Sequence, residues 1–197
     1  NIEAYSTGTP DAPMNSPNYS TFDAAGNLYI SASGDWEGDN GVIYRIAPGG
    51  ETAVWSTALP HYTNGSCFNA TRDVLYVAES LLPGISRVPI GVDGTAGEPE
   101  LFASIPDSIP DGLAFDTDGY LYVSCFRPDR IYRVSPAGKV ETLVDEPKGM
   151  RLSAPTNVAF AGPGLDRLVV ANVGLSHLAV ADIGAVGIPL EYPRIDD

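Results

Sequence analysis

Asp111-Gly112-Leu113-Ala114-Phe115-Asp116-Thr117-Asp118-Gly119-Tyr120-Leu121-Tyr122-Val123 decides the fold. Residues 112–115 form a short apolar run, as a buried inner strand does, and Asp116-Thr117-Asp118-Gly119 carries hairpin-turn chemistry. Residues 120–125 return as a second strand, and Ile131-Tyr132-Arg133-Val134 reads as a third. Pro136-Ala137-Gly138-Lys139 turns the chain again before a fourth strand over 140–144. Four consecutive antiparallel strands make one blade of a β-propeller.

Working outward, the unit repeats. The polar residue that opens it recurs as Asn18, Asn64, Asp111 and Asn157, at separations of 46, 47 and 46. The second strand recurs as Leu28-Tyr29-Ile30, Leu75-Tyr76-Val77, Leu121-Tyr122-Val123 and Leu168-Val169-Val170. A fixed period of about 40–50 residues built from short strands is the signature of propeller blades. Third strands are predicted at 43–46, 85–88 and 178–181, and fourth strands near 53–55 and 100–102. No segment has helical periodicity, so the expected class is all-β, with four blades visible in one domain over 1–197. Ile2-Glu3-Ala4-Tyr5-Ser6-Thr7 resembles Thr52-Ala53-Val54-Trp55-Ser56-Thr57. That likeness predicts a leading fourth strand able to pair with the last blade and close the ring.

Composition narrows the function. Eleven Lys and Arg against 25 Asp and Glu give a net charge of −14. That leaves no cationic excess to neutralise phosphates, so nucleic acid is not an expected partner. No apolar run approaches the roughly 18 residues of a membrane span, so no membrane partner is expected either. Cys67 and Cys125 lack metal or disulfide-framework spacing and read as buried thiols. Three Asn-x-Ser/Thr triplets, at Asn18, Asn64 and Asn69, leave the compartment open. The chain opens on Asn1 rather than Met, as a processed product or a piece of a longer protein would.

Strand polarity sorts the loops. Turns after first and third strands are short and share one face. The longer connections, at 34–41, 57–63, 81–84, 126–129 and 145–156, share the other. Asn18, Asn64, Asp111 and Asn157 enter their inner strands from this longer-loop face, so four oxygen-bearing side chains are predicted around one hub. Oxygen donors without His or Cys suit a hard cation such as calcium rather than zinc. The plainer alternative is that hub asparagines cap strand starts around a water-filled tunnel. On the same face His61 and Arg127 are candidates to touch substrate. Glu79 reads as a solvated strand end, His177 as structural at the start of a third strand, and Arg45, Arg87 and Arg133 as links between blades. Neither a phosphate-binding Gly loop nor a nucleophile elbow occurs, which disfavours serine-hydrolase chemistry.

Ile109-Pro110-Asp111-Gly112-Leu113-Ala114-Phe115-Asp116, Asn64-Gly65 ahead of Leu75-Tyr76-Val77-Ala78-Glu79, and Pro155-Thr156-Asn157-Val158-Ala159-Phe160 together resemble the senescence-marker/gluconolactonase/luciferin-regenerating-enzyme-like family. The likeness runs from about Pro17 to Leu190. It implies a six-bladed propeller with an axial divalent cation, commonly calcium. It also implies metal-binding roles for Asn64 and Asp111, and a metal- or substrate-contacting role for Asn18. Asn157 is equivalent only in position. The family's metal-binding Glu comes from a first blade that no segment here matches, so by the family pattern about two blades are missing upstream. The implied activity is metal-dependent hydrolysis of lactones or related esters, with Asp111 also orienting or deprotonating water. Phosphotriester hydrolysis is a further family activity. The competing expectation is a non-catalytic propeller or enzyme fragment that binds a partner, as a homo-oligomer or with a completing chain.

Overall fold

A computed structural model describes residues 3–193. The first sheet holds β1 (Pro17–Phe22), β2 (Leu28–Ala32), β3 (Val42–Ile46) and β4 (Thr52–Ser56). The second holds β5 (Thr63–Phe68), β6 (Val74–Glu79), β7 (Gly84–Pro89) and β8 (Glu100–Ser104). The third holds β9 (Ile109–Phe115), β10 (Leu121–Arg127), β11 (Arg130–Val134) and β12 (Val140–Asp145). The last holds β13 (Pro155–Ala161), β14 (Arg167–Asn172) and β15 (Ala179–Ala181). Every pairing within these sheets is antiparallel and sequential, so the sheets are four propeller blades, the last three-stranded. The described residues are all-β, as the repeat predicts.

The repeating tyrosines hold neighbouring blades together. Tyr29 packs edge-on against Phe68 of the next blade, Tyr76 against Phe115, and Tyr122 against Phe160, with ring centroids 5.2, 4.9 and 5.2 Å apart. Each such pair adds about 0.5–1.5 kcal/mol beyond the area it buries. Asp116 shows how the quoted turn works. Its Oδ1 accepts the amides of Asp118 and Tyr120 at 3.0 and 2.8 Å, and its Oδ2 accepts the Tyr122 hydroxyl at 3.0 Å. Gly119 supplies the positive φ of 82° that closes the hairpin.

Both ends differ from the simple repeat. Ile2 lies outside the described residues, and residues 3–7 form no strand. They lie along the first blade instead of completing the last. The Tyr5 hydroxyl meets Ala47 O and the Gly49 amide at 3.3 and 3.1 Å, and Ser6 Oγ meets Thr52 Oγ1 at 2.7 Å. A tight reversal at Gly8, bridged to Pro13, directs the segment there. After β15 the tail runs beneath the third blade, where Gly187 bridges Asp116 and the Ile188 amide donates to Phe115 O at 3.1 Å. The arginine assignment holds for Arg45, whose guanidinium lies against Gly94 of the second blade, and is corrected for the other two. Arg87 pairs with Glu100, and Arg133 with Glu141, each within its own blade.

Candidate metal centre at the propeller hub

Each inner strand breaks register with its partner where the hub residue sits. The irregularities fall between Pro17 and Tyr19, Thr63 and Ser66, and Pro155 and Asn157, and two more flank Pro110 on β9. Such bulges bend the strand and re-aim a side chain. Two glycines let the strands close up. A Cβ on Gly65 would stand 2.1 Å from Asp111 O, and one on Gly112 would stand 2.4 Å from Asn157 Oδ1. Neither space admits a side chain.

A serine relay orients the amides. Asn18 Nδ2 donates to Ser33 Oγ at 2.9 Å, and Ser33 Oγ donates to Thr63 O of the next blade at 2.6 Å. One blade on, Asn64 Nδ2 donates to Ser80 Oγ at 3.2 Å, and Ser80 Oγ donates to Pro110 O at 2.8 Å. With its NH2 held by Ser80, the Asn64 amide must present its carbonyl elsewhere. Asn64 is buried, and its Oδ1 has no hydrogen-bond partner. An orphaned buried carbonyl carries a desolvation cost that a cation would remove.

Asp111 sits on the adjoining inner strand, with its backbone against Gly65. Burial pushes its carboxyl up to about 7, against the ordinary 3.8. The relay has no counterpart here, because Phe126 and Arg127 stand where the earlier blades have serine. A half-buried carboxyl on the strand next to an orphaned amide oxygen offers the donor types that a hard cation takes. Among the described residues no cluster of three or more His, Cys, Asp or Glu forms, so amide oxygens would have to share the coordination.

The terminal blades differ. Asn18 is exposed. Asn157 Oδ1 accepts its neighbour's amide, Val158 N, at 2.8 Å and the Tyr19 hydroxyl at 3.5 Å, so its carbonyl is engaged locally. Tyr19, which occupies the position of Gly65 and Gly112, reaches across the hub to make that contact. Burial raises its phenol to about 12, so it is a hydrogen-bond donor near neutrality.

The other candidates lie apart from the hub contacts. His61 Nδ1 pairs with Asp39 at 3.0 Å. Arg127 pairs with Asp129 at 2.6 Å and stacks over Phe126. His177 is exposed and precedes β15 rather than opening it. Glu79 corrects the solvated reading. It is 2% exposed, and it accepts Ser86 Oγ at 2.5 Å and the His61 amide at 3.4 Å. It thereby ties the β4–β5 loop to the second blade. Cys67 and Cys125 are free and buried.

The family model for the SMP-30/gluconolactonase/LRE-like region matches residues 1–174. The chain belongs to that family. A 6-deoxy-6-sulfogluconolactonase from Pseudomonas putida is 32% identical over 111 residues, covering 55% of this chain and 37% of the relative. A luciferin-regenerating enzyme superposes with a TM-score of 0.75 at 20% identity, covering 89% of this chain and 64% of that one. A calcium-binding protein, regucalcin from Agrobacterium tumefaciens, gives 0.70 at 23% identity, with 84% and 56% covered. The SMP-30-like chain described here thus spans less than two thirds of these relatives, as four blades of a six-bladed ring would.

Proposed function

We propose that the hub is the metal-binding half of a lactone- or ester-hydrolysing site, with calcium the best-fitting cation. The observation that carries this reading is the orphaned Oδ1 of buried Asn64, with the half-buried carboxyl of Asp111 at the same register of the adjoining inner strand. Asn64 and Asp111 would hold the ion. A bound cation supplies Lewis acidity, polarising a lactone carbonyl and stabilising the oxyanion of the addition step. Asp111, once ionised, accepts a proton from water held within hydrogen-bond reach. Ser80 keeps the Asn64 carbonyl directed away from its own strand, and Tyr19 bounds the hub from below. The sulfogluconolactonase relative favours a sugar-derived lactone over a phosphotriester.

A second reading rests on the chain's span. Four blades without the family's first-blade Glu would bind calcium weakly, and the chain would then serve as a scaffold or as part of a larger enzyme. Hydrolysis of gluconolactone with added calcium, compared between the wild-type chain and Asp111→Ala, separates the two. Calcium-dependent turnover lost in the variant supports the hydrolase. Equal rates in both would refute it.

A further inference from the structure

The third strands of the first three blades carry an arginine at one register, and the fourth strands answer it differently. Arg87 on β7 pairs in register with Glu100 on β8, its Nε 2.7 Å from a carboxylate oxygen. Arg133 on β11 pairs in register with Glu141 on β12 and forms the same ion pair. Arg45 on β3 stands opposite Ala53 on β4, where the carboxylate is missing. Among the described residues no ion pair includes Arg45. Its Nε is buried without a hydrogen-bond partner. Leaving a charged donor buried and unsatisfied is costly, so the group calls for an acceptor.

The guanidinium is nonetheless held in place. Trp55 takes the position on β4 that Phe102 takes on β8. It lies edge-on to Tyr29 as Phe102 does to Tyr76, with ring centroids 5.2 and 5.0 Å apart. The Trp55 Nε1 donates to Gly94 O at 2.8 Å and so fixes the turn of the second blade that lies against Arg45. A Cβ on Gly94 would stand 3.5 Å from Arg45 Cζ and Nη2. The carboxylates of the adjoining turns are engaged locally. Asp23 accepts the amides of Ala25 and Asn27 and the Asn27 side chain at 2.9, 2.9 and 2.8 Å. Asp93 accepts the amide and hydroxyl of Thr95 at 3.1 and 2.7 Å.

We propose that Arg45 is an oxyanion-binding site separate from the hub, taking a small carboxylate, sulfate or phosphate where Glu100 and Glu141 serve the other blades. A guanidinium fork matches such groups in geometry as well as in charge. Arg45 pairs in register with Tyr29 near the start of β2, towards the short-turn face, whereas Asn64 and Asp111 enter from the longer-loop face. At an ionic strength of about 0.15 M, charges beyond about 8 Å are largely screened. The chain's net charge of −14 then leaves the local contact standing.

The test titrates sulfate, phosphate and acetate separately into the full chain at neutral pH and constant ionic strength, following the Arg45 Nε–Hε NMR resonance. A saturable shift with at least one of these anions, and none with chloride, is expected. The order of affinity among the three tells a carboxylate site from a sulfate or phosphate site. Ala53 is exposed on β4, so Ala53→Glu supplies the absent carboxylate from within the blade. That variant should weaken anion binding by about tenfold or more. Arg45→Met should abolish it, and should Arg45→Met fail to fold, Ala53→Glu decides alone. A resonance that no anion moves overturns the site. An affinity that Ala53→Glu leaves unchanged marks an adventitious ion only and overturns it equally.

Discussion

The inner and outer blades place polar residues at one register and give them different fates. Asn64 and Asp111, on the second and third blades, are flanked on both sides by other blades. One is left with an unpartnered oxygen, the other with a burial-raised carboxyl. Asn18 and Asn157, on the first and last, are respectively exposed and turned onto a local amide. Register brings a side chain to the axis, and the neighbouring blade decides whether its oxygen is left to meet a cation.

The largest effect should come from Asn64→Leu, which keeps the volume and removes the carbonyl. Calcium affinity measured by calorimetry should drop by about 100-fold, or ~2.7 kcal/mol. Gly65→Ala attacks the contact between the same blades. Its Cβ has no room against Asp111 O, so urea unfolding should show a loss of about 1–3 kcal/mol.

Acidity sharpens the contrast further. The Asp111 carboxyl must be ionised to bind metal, and its folded value is about 7. Calcium affinity should therefore rise about tenfold per pH unit up to that point and level off above it. In the metal-free protein the same shift runs the other way. The folded state holds the proton more tightly than the unfolded state, so stability contributed by this group falls as pH rises from about 4 to 7. Thermal unfolding across that range, with Asp111→Asn as the flat reference, checks the sign. The smallest effect belongs to Asn157→Ala, which should change calcium affinity by less than about twofold, since its carbonyl is already engaged.

Much of this was legible in the chain. The Leu-Tyr-Val/Ile strands recur because each tyrosine must meet the next blade's phenylalanine, and the Asp-x-Asp-Gly turn reads directly as an Asx-stabilised hairpin. The hub register was legible for the same reason. What stayed hidden depends on contacts between blades. Ser33 and Ser80 recur 15 and 16 residues after Asn18 and Asn64, a signal that could have been noticed, but their acceptors are carbonyls of another blade. Glu79 looked solvated because its partners, Ser86 on the adjacent strand β7 and the His61 amide in the loop before β5, lie outside its own strand. The opening segment matched a fourth strand in residue pattern, yet the Gly8 reversal directs it onto the first blade.

The most direct test is a calorimetric titration of calcium into the wild-type chain and into Asp111→Ala at pH 8, above the raised carboxyl value. One site in the wild type and none in the variant is the predicted result. A variant that binds calcium as tightly as the wild type, or a wild type that gives no binding heat, would contradict the assignment of the hub.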